Sequence, residues 1–171
     1  LEAGWEVDVF TSRVACAEGA APELEHPRLT VTWVDDPVDR FRQRFARHRT
    51  LQRWVSMLVA GLLWPDQYAL WAKRLYGKHL APANYDRVLV FVFPPSAYLA
   101  RDLVTSKWIF DLQESVTPQF RKLKRRSPLQ RWRLPAMERL EREALRAAGK
   151  VIFTAETNRQ AYIAANLVPA A

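Results

Sequence analysis

The segment from Tyr85 to Thr117 holds two short apolar runs, Val88 to Phe93 and Trp108 to Phe110, each passing straight into polar residues and then into a candidate helix. Strands covered on both faces read as near-continuous apolar stretches. The pattern therefore predicts parallel strands of an α/β sheet, with Pro94, Pro95 and Ser96 past the first carboxyl end and Asp111, Gln113 and Glu114 past the second. Ligands of open parallel sheets collect at that edge. A purely local reading also holds for Pro-Pro-Ser, since Pro is tolerated in a first helical turn and Ser caps one.

Leu1 to Gly4 fits a helix end with Gly as its cap, followed by a strand from Trp5 to Thr11. Leu29 to Val34 alternates and is β-branched, a strand that stops at Asp35-Asp36-Pro37. From Val38 to Leu80 the signals are helical, with a break at Trp64-Pro65-Asp66, because a residue before proline is kept out of the helical region. Helices are expected again over Ser96–Thr105, from Leu134 or Pro135 to Ala148 with Gly149 closing it, and over Glu156–Leu167, with a strand at Lys150–Thr154. Alternating strands and helices on short connections predict a doubly wound, Rossmann-like parallel sheet with helices on both faces. Such a sheet opens with its central strand and a Gly-rich turn. Neither is visible here, so the first, central strand is expected to be lacking.

The 171 residues suit one domain, and 49% apolar with 26% charged residues argues for a folded core. No run approaches the roughly 18 uninterrupted apolar residues of a membrane span. The longest candidate, Trp54 to Trp64, contains Ser56 and meets Pro65-Asp66. No basic and apolar leader is visible either, and a cytoplasmic protein, soluble or peripheral to a membrane, is expected. Cys16 stands alone and cannot form an internal disulfide, while His26, His48 and His79 lack metal-ligand spacing. No metal and no cofactor bound by this domain is expected.

The net charge of +8 is concentrated in two clusters, one at Arg40, Arg42, Arg44, Arg47, Arg49 and Arg53, the other at Arg121, Lys122, Lys124, Arg125, Arg126, Arg131 and Arg133. Both suit an anionic partner. After Phe41 and Phe45 come Leu51, Trp54, Val55, Leu58, Leu62 and Leu63 at helical spacing. Two readings stand: a basic amphipathic helix lying on an anionic membrane surface, or a solvated face whose apolar stripe packs on the sheet. Phe120, Leu123, Leu129 and Trp132 interleave the second cluster. That mixture occurs on nucleic-acid surfaces, but no recognised RNA or DNA module accompanies it, and nucleic acid is not the partner expected.

Several segments together resemble the acceptor-binding, amino-terminal domain of family 4 glycosyltransferases of the two-domain GT-B type. Leu1-Glu2-Ala3-Gly4-Trp5-Glu6-Val7-Asp8-Val9-Phe10-Thr11-Ser12 is similar to that domain's first helix end and second strand, and Trp64-Pro65-Asp66-Gln67-Tyr68-Ala69-Leu70-Trp71 to a Pro-Asp-x-Tyr-x-x-Trp segment in a subset of those enzymes. Phe93-Pro94-Pro95-Ser96-Ala97-Tyr98 resembles their Ser-Pro-Pro-x-Ser turn, and Lys107-Trp108-Ile109-Phe110-Asp111-Leu112-Gln113-Glu114 the strand ending in Asp-x-Arg-Asp, with Gln113 in place of Arg and Glu114 in place of Asp. Leu140 to Leu145 and Gly149 to Thr154 resemble the last helix and strand.

The resemblance spans the chain and implies a hexosyltransferase-like enzyme of which residues 1–171 form one partial acceptor domain, without the carboxy-terminal domain that binds the nucleotide-sugar donor and carries Glu-x7-Glu. It implies a glycan or lipid-linked acceptor, and retention at the anomeric carbon. The chain alone is then expected to be inactive, its sheet completed by the missing donor half or by a second chain. Within that frame Asp111 and Glu114 are the candidates for accepting the acceptor's proton, and Pro95, Ser96, Gln113, Thr154 and Glu156 for contacting it. Asp111 also suits a role in bonding the amides of the following turn, and Thr154 or Thr157 a role in capping the last helix. Arg40, Arg42, Arg44, Arg47, Arg125 and Arg126 are the candidates for holding anions or a membrane. A non-catalytic α/β binding module, or a basic membrane or nucleic-acid adaptor, would use the same features.

Overall fold

The computed structural model of the chain describes residues 4–12, 26–44, 48–81, 84–92, 94–113, 116–122 and 128–169. Strands β1 (Val7–Ser12) and β2 (Leu29–Val34) lead into helices α1 (Pro37–Arg44), α2 (Arg49–Leu62) and α3 (Ala69–Arg74), the last widening into a π-helical turn at Leu75–His79. Strand β3 (Val88–Phe91) is followed by a 3₁₀ helix (Pro95–Leu103), strand β4 (Trp108–Leu112), helices α4 (Val116–Lys122) and α5 (Pro128–Ala147), strand β5 (Lys150–Phe153) and helix α6 (Glu156–Ala164).

The chain is α/β, and every strand pairing described is parallel. The strands form two sheets, β1–β2 and β3–β4–β5. In the first, Val7 stands opposite Leu29 and Ser12 opposite Val34. In the second, Asp111 stands between Phe91 and Ile152. Among the described residues β1 pairs only with β2 and β3 only with β4, so each keeps one open edge. Tyr85 links the two sheets: its hydroxyl donates to Asp8 Oδ2 at 2.9 Å, and its ring meets Phe10 edge-on with centroids 6.4 Å apart. Burial and the Asp8 carboxylate both push the Tyr85 phenol up from its ordinary pKa, since each disfavours the phenolate. At the other end of the first sheet, Trp71 Nε1 donates to the Val34 carbonyl at 3.0 Å.

The core lies on one face of β3–β4–β5. Side chains alternate along a strand, and Val88, Val92, Trp108, Phe110 and Leu112 point to that face, where Tyr98, Met137, Leu140, Ala144, Leu145 and Tyr162 cover them. Each large side chain so buried contributes about 1.5–3 kcal/mol relative to exposure. The other face carries Leu89, Phe91 and Ile152, all exposed, with Asp111 half-buried between the last two. The sequence led us to expect strands buried on both faces under helices on both sides. The described helices that pack on this sheet instead gather on its Val88–Trp108 face, which leaves the opposite face open.

Local signals account for several boundaries. The helical run breaks at Trp64–Pro65, as the pre-proline restriction predicts, and that peptide is cis. Gly4 has φ of +86°, the left-handed conformation of a glycine closing a helix, although Leu1 to Ala3 lie outside the described residues. A Cβ on Gly149 would stand 1.9 Å from the Ser106 carbonyl oxygen, so glycine alone lets α5 turn into β5 against the loop that enters β4. Helix α5 begins at Pro128, earlier than expected, and continues through Pro135. Its early turns are tied down by Arg133, which donates to the Leu63 carbonyl at 3.2 Å and to the Gly61 carbonyl at the end of α2. That contact is remote in sequence and offsets the bond that Pro135 cannot make. The helix after β3 runs from Pro95 to Leu103 rather than from Ser96 to Thr105, and it is 3₁₀ rather than α.

No described helix is long and apolar enough to cross a membrane.

Candidate functional site

Parallel pairing brings the carboxyl ends of β3, β4 and β5 to one edge, because strands that run in the same direction end together. Asp111 is the fourth residue of β4, and Gln113 follows the strand directly. The Gln113 side-chain amide donates to Asp111 Oδ2 at 2.7 Å, so two sequence-predicted residues lie in direct contact. Thr154, just beyond β5, donates its hydroxyl to the Gln113 carbonyl at 3.2 Å and lies 3.5 Å from the Leu112 carbonyl. Asn158 in α6 in turn reaches Thr154 Oγ1 at 3.4 Å. The result is a chain of polar contacts, Asp111–Gln113–Thr154–Asn158, across the ends of two adjacent strands.

The capping role considered for Thr154 is not what the geometry shows. The residue at the amino-terminal cap of α6 is Ala155, with no side-chain cap. Thr154 is spent on the main chain at the end of β4, which ties Leu112 and Gln113 to the end of β5. Glu156 stands exposed in the first turn of α6, where negative charge suits the helix dipole. The Gln160 amide foremost, and then Arg159, hold its carboxyl below the usual range by hydrogen bonding to the charged form.

Pro95 and Ser96 open the 3₁₀ helix past the end of β3. Ser96 is buried, and its backbone N–H donates to Asp66 Oδ2 at 2.6 Å. Asp66 Oδ1 accepts the Tyr68 N–H at 2.7 Å, a turn in which an Asp side chain bonds the backbone two residues on. One carboxylate thus joins the loop after α2 to the start of the 3₁₀ helix. Burial raises the Asp66 pKa, and the Tyr68 and Ser96 amides oppose that shift. The Ser96 hydroxyl lies near the same carboxylate without the alignment of a hydrogen bond. In sequence Asp66 stands only as part of the Trp64-Pro65-Asp66 break and the Pro-Asp-x-Tyr-x-x-Trp segment, with no role of its own. The signal available was an Asp two residues ahead of an aromatic helix start.

A second residue missed in sequence is Phe91. An apolar run predicts burial, yet Phe91 is 62% exposed and pairs in register with Asp111. Side chains of paired residues emerge on the same face. The open face therefore sets an exposed aromatic ring beside a carboxylate, with Ile152 on the far side. The open face thus offers an apolar ring and a carboxylate side by side.

The basic candidates divide. Arg40 and Arg44 are exposed on α1, and Arg40 pairs with Asp35. Arg42 lies on α1 with its side chain outside the described set, and Glu114, Arg47, Arg125 and Arg126 lie outside the described residues. Among the described residues no group of three His, Cys, Asp or Glu side chains is placed to hold a metal ion. No family model matches the chain, and comparison with curated proteins and with solved structures yields no match.

Proposed function

We propose that this chain is the acceptor-binding half of a glycosyltransferase, one that moves a sugar from a nucleotide-sugar donor to a glycan or lipid-linked acceptor. The observation that carries the reading is the edge formed by Asp111, Gln113 and Thr154 at the carboxyl ends of parallel strands, beside the exposed Phe91. It joins the resemblance of the segments around Asp66, Ser96 and Asp111 to family 4 enzymes. In the proposed reaction the acceptor hydroxyl oxygen bonds to the anomeric carbon, the bond from that carbon to the diphosphate breaks, and the nucleoside diphosphate leaves with the electron pair. Asp111 holds the hydroxyl and takes its proton, while the Gln113 amide on Oδ2 keeps the carboxylate turned toward the cleft. Phe91 supports the acceptor ring. The nucleotide sugar is bound by a donor domain beyond these residues.

The same proposal assigns the two sheets to one doubly wound sheet. A further parallel strand would lie between the open edges of β1 and β3, where Tyr85 now links them. It also places the enzyme in the cytoplasm, at the inner face of the cell membrane.

Binding of this chain to an acceptor panel, read by amide chemical-shift mapping, tests the assignment. Glycan or glycolipid acceptors are expected to shift Asp111, Gln113 and Thr154 first, and Asp111→Asn to weaken binding at least about tenfold, the factor that 1.4 kcal/mol represents. No acceptor bound at that edge, or unchanged affinity and unchanged transfer by an Asp111→Asn enzyme carrying its donor domain, would overturn it.

A further inference from the structure

Helix α2 is built inside out. A surface helix of a globular protein turns its large apolar residues to the core and its polar ones to water. In α2 the large apolar residues Leu51, Trp54, Met57, Leu58 and Leu62 face outward beside Thr50 and Arg53, with Trp54 and Leu58 each 61% and Leu62 78% exposed. Gln52, Val55, Ser56, Val59 and Gly61 are the half-buried ones, and none of the described α2 side chains is fully buried. Leu51, Trp54, Leu58 and Leu62 recur at intervals of three or four, so they form one continuous stripe along the outer side. Arg133 anchors the end of α2 through the Gly61 and Leu63 carbonyls, and its neighbour Trp132 is itself 78% exposed.

Charge identifies what the stripe meets. Between Asp39 and Asp66 the chain has no acidic residue and six arginines, Arg40, Arg42, Arg44, Arg47, Arg49 and Arg53. Arg44 and Arg53, and Arg131 next to Trp132, are exposed. An exposed apolar stripe with Arg53 in the same helix, Arg44 in the helix before it and no acidic residue near it in sequence is complementary to a bilayer surface rich in anionic headgroups. Its leucines match the acyl boundary, its tryptophans the headgroup level and its arginines the phosphates. A hydrophobic partner protein would explain the leucines, but it would not require the one-sided charge. We infer that α2, with Trp132, is a membrane-docking surface that lies in the plane of an anionic bilayer and inserts Leu51, Trp54, Leu58 and Leu62. The inference stands on the exposed helix and its charge and is independent of the proposed glycosyl transfer.

Sedimentation of the purified chain with vesicles decides it. The chain is expected to pellet with equimolar phosphatidylcholine and phosphatidylglycerol and to stay in solution with phosphatidylcholine alone. Leu58→Glu should lower the partition coefficient at least about tenfold while far-UV circular dichroism and the melting temperature stay unchanged, because Leu58 covers no core. Arg44→Gln with Arg53→Gln should lower binding to the anionic vesicles and flatten its dependence on salt. Brominated lipids should quench tryptophan fluorescence, and the quenching should fall in Trp54→Phe. Absence of vesicle binding would overturn the inference. So would unchanged binding by Leu58→Glu, which would mark simple charge attraction, or a dimer seen by light scattering that Leu58→Glu dissolves, which would make the stripe an interface between copies of the chain.

Discussion

Helices α2 and α5 are both amphipathic, and they point their apolar faces in opposite directions. In α5, Met137, Leu140, Ala144 and Leu145 are buried against the β3–β4–β5 sheet and the 3₁₀ helix. Its outer side carries Arg139 and Glu143, paired at 2.8 Å, with Arg101 of the 3₁₀ helix adding a 2.9 Å bond to the same carboxylate. In α2 the leucines and a tryptophan take the outer position instead. A hydrophobic stripe in sequence states that a face must be covered, and says nothing of what covers it. For α5 the cover is the chain's own sheet; for α2 the chain supplies none among the described residues.

The largest break in that comparison is expected in α5. Leu140 is 1% exposed within the core, so Leu140→Ala removes buried methyl groups and leaves a cavity, at a cost of about 2–5 kcal/mol. For a chain of this size that corresponds to a fall in Tm of roughly 2–4 °C per kcal/mol. Urea unfolding measures it, and a loss below about 1 kcal/mol would mean that α5 does not pack as described.

A smaller and pH-dependent effect comes from Glu141, which α5 buries in the same core. The hydroxyls of Tyr98 and Tyr162 both donate to its Oε1 at 2.7 Å. Burial raises the Glu141 pKa from its ordinary 4.5, and the nearby Thr117, Tyr162 and Tyr98 hydroxyls offset only part of that rise. The folded state therefore holds this proton more tightly than the unfolded chain. Stability from this group is greatest below the unfolded pKa and is lost as pH rises from there through the higher folded pKa. The slope cannot exceed about 1.4 kcal/mol per pH unit for one proton. Glu141→Gln keeps an oxygen that accepts both tyrosine hydroxyls and removes the ionisation, so the decline that sets in as pH rises above 4.5 should flatten. An unchanged slope would assign the decline to other groups.

How much of this was legible in sequence follows from which interactions are local. The strand runs, the break before Pro65 and Gly149 as a helix end were readable from their immediate neighbours, although the contact that excludes a Cβ at 149, the Ser106 carbonyl, is remote in sequence. Asp111, Gln113 and Glu114 were legible together as polar residues after an apolar run, but the bond from Gln113 to Asp111 was not, since the sequence pairs Asp111 with Glu114, which lies outside the described residues. The exposed face of β3 was not, because Val88 to Phe91 has the same composition whether one face or both are covered. Asp66 was missed because its second partner, the Ser96 N–H, is remote in sequence, and no pattern around Asp66 records it. The early start of α5 was hidden for the same reason: Pro135 argues locally for a boundary, and Arg133 outweighs it through a contact with α2. The direction of the α2 stripe is open in sequence, because no local pattern records whether a neighbouring element covers it; in the structure Leu51, Trp54, Leu58 and Leu62 are exposed while Val55 and Leu63 are half-buried.

The smallest effect expected is the one that most sharpens the contrast between the helices. Leu58→Ala is the same chemical change as Leu140→Ala, made on a residue that is 61% exposed rather than 1%. Little apolar area returns to water on unfolding at Leu58, and alanine is at least as good a helix former as leucine. The change in unfolding free energy in urea should stay within about 0.5 kcal/mol. A loss of 2 kcal/mol or more would show that the outer face of α2 is covered in solution, and the asymmetry between the two helices would disappear. A value near zero, with the large cost retained for Leu140→Ala, leaves the stripe of α2 contributing nothing to folding. Its leucines and tryptophan would then have to be explained by a surface outside the fold.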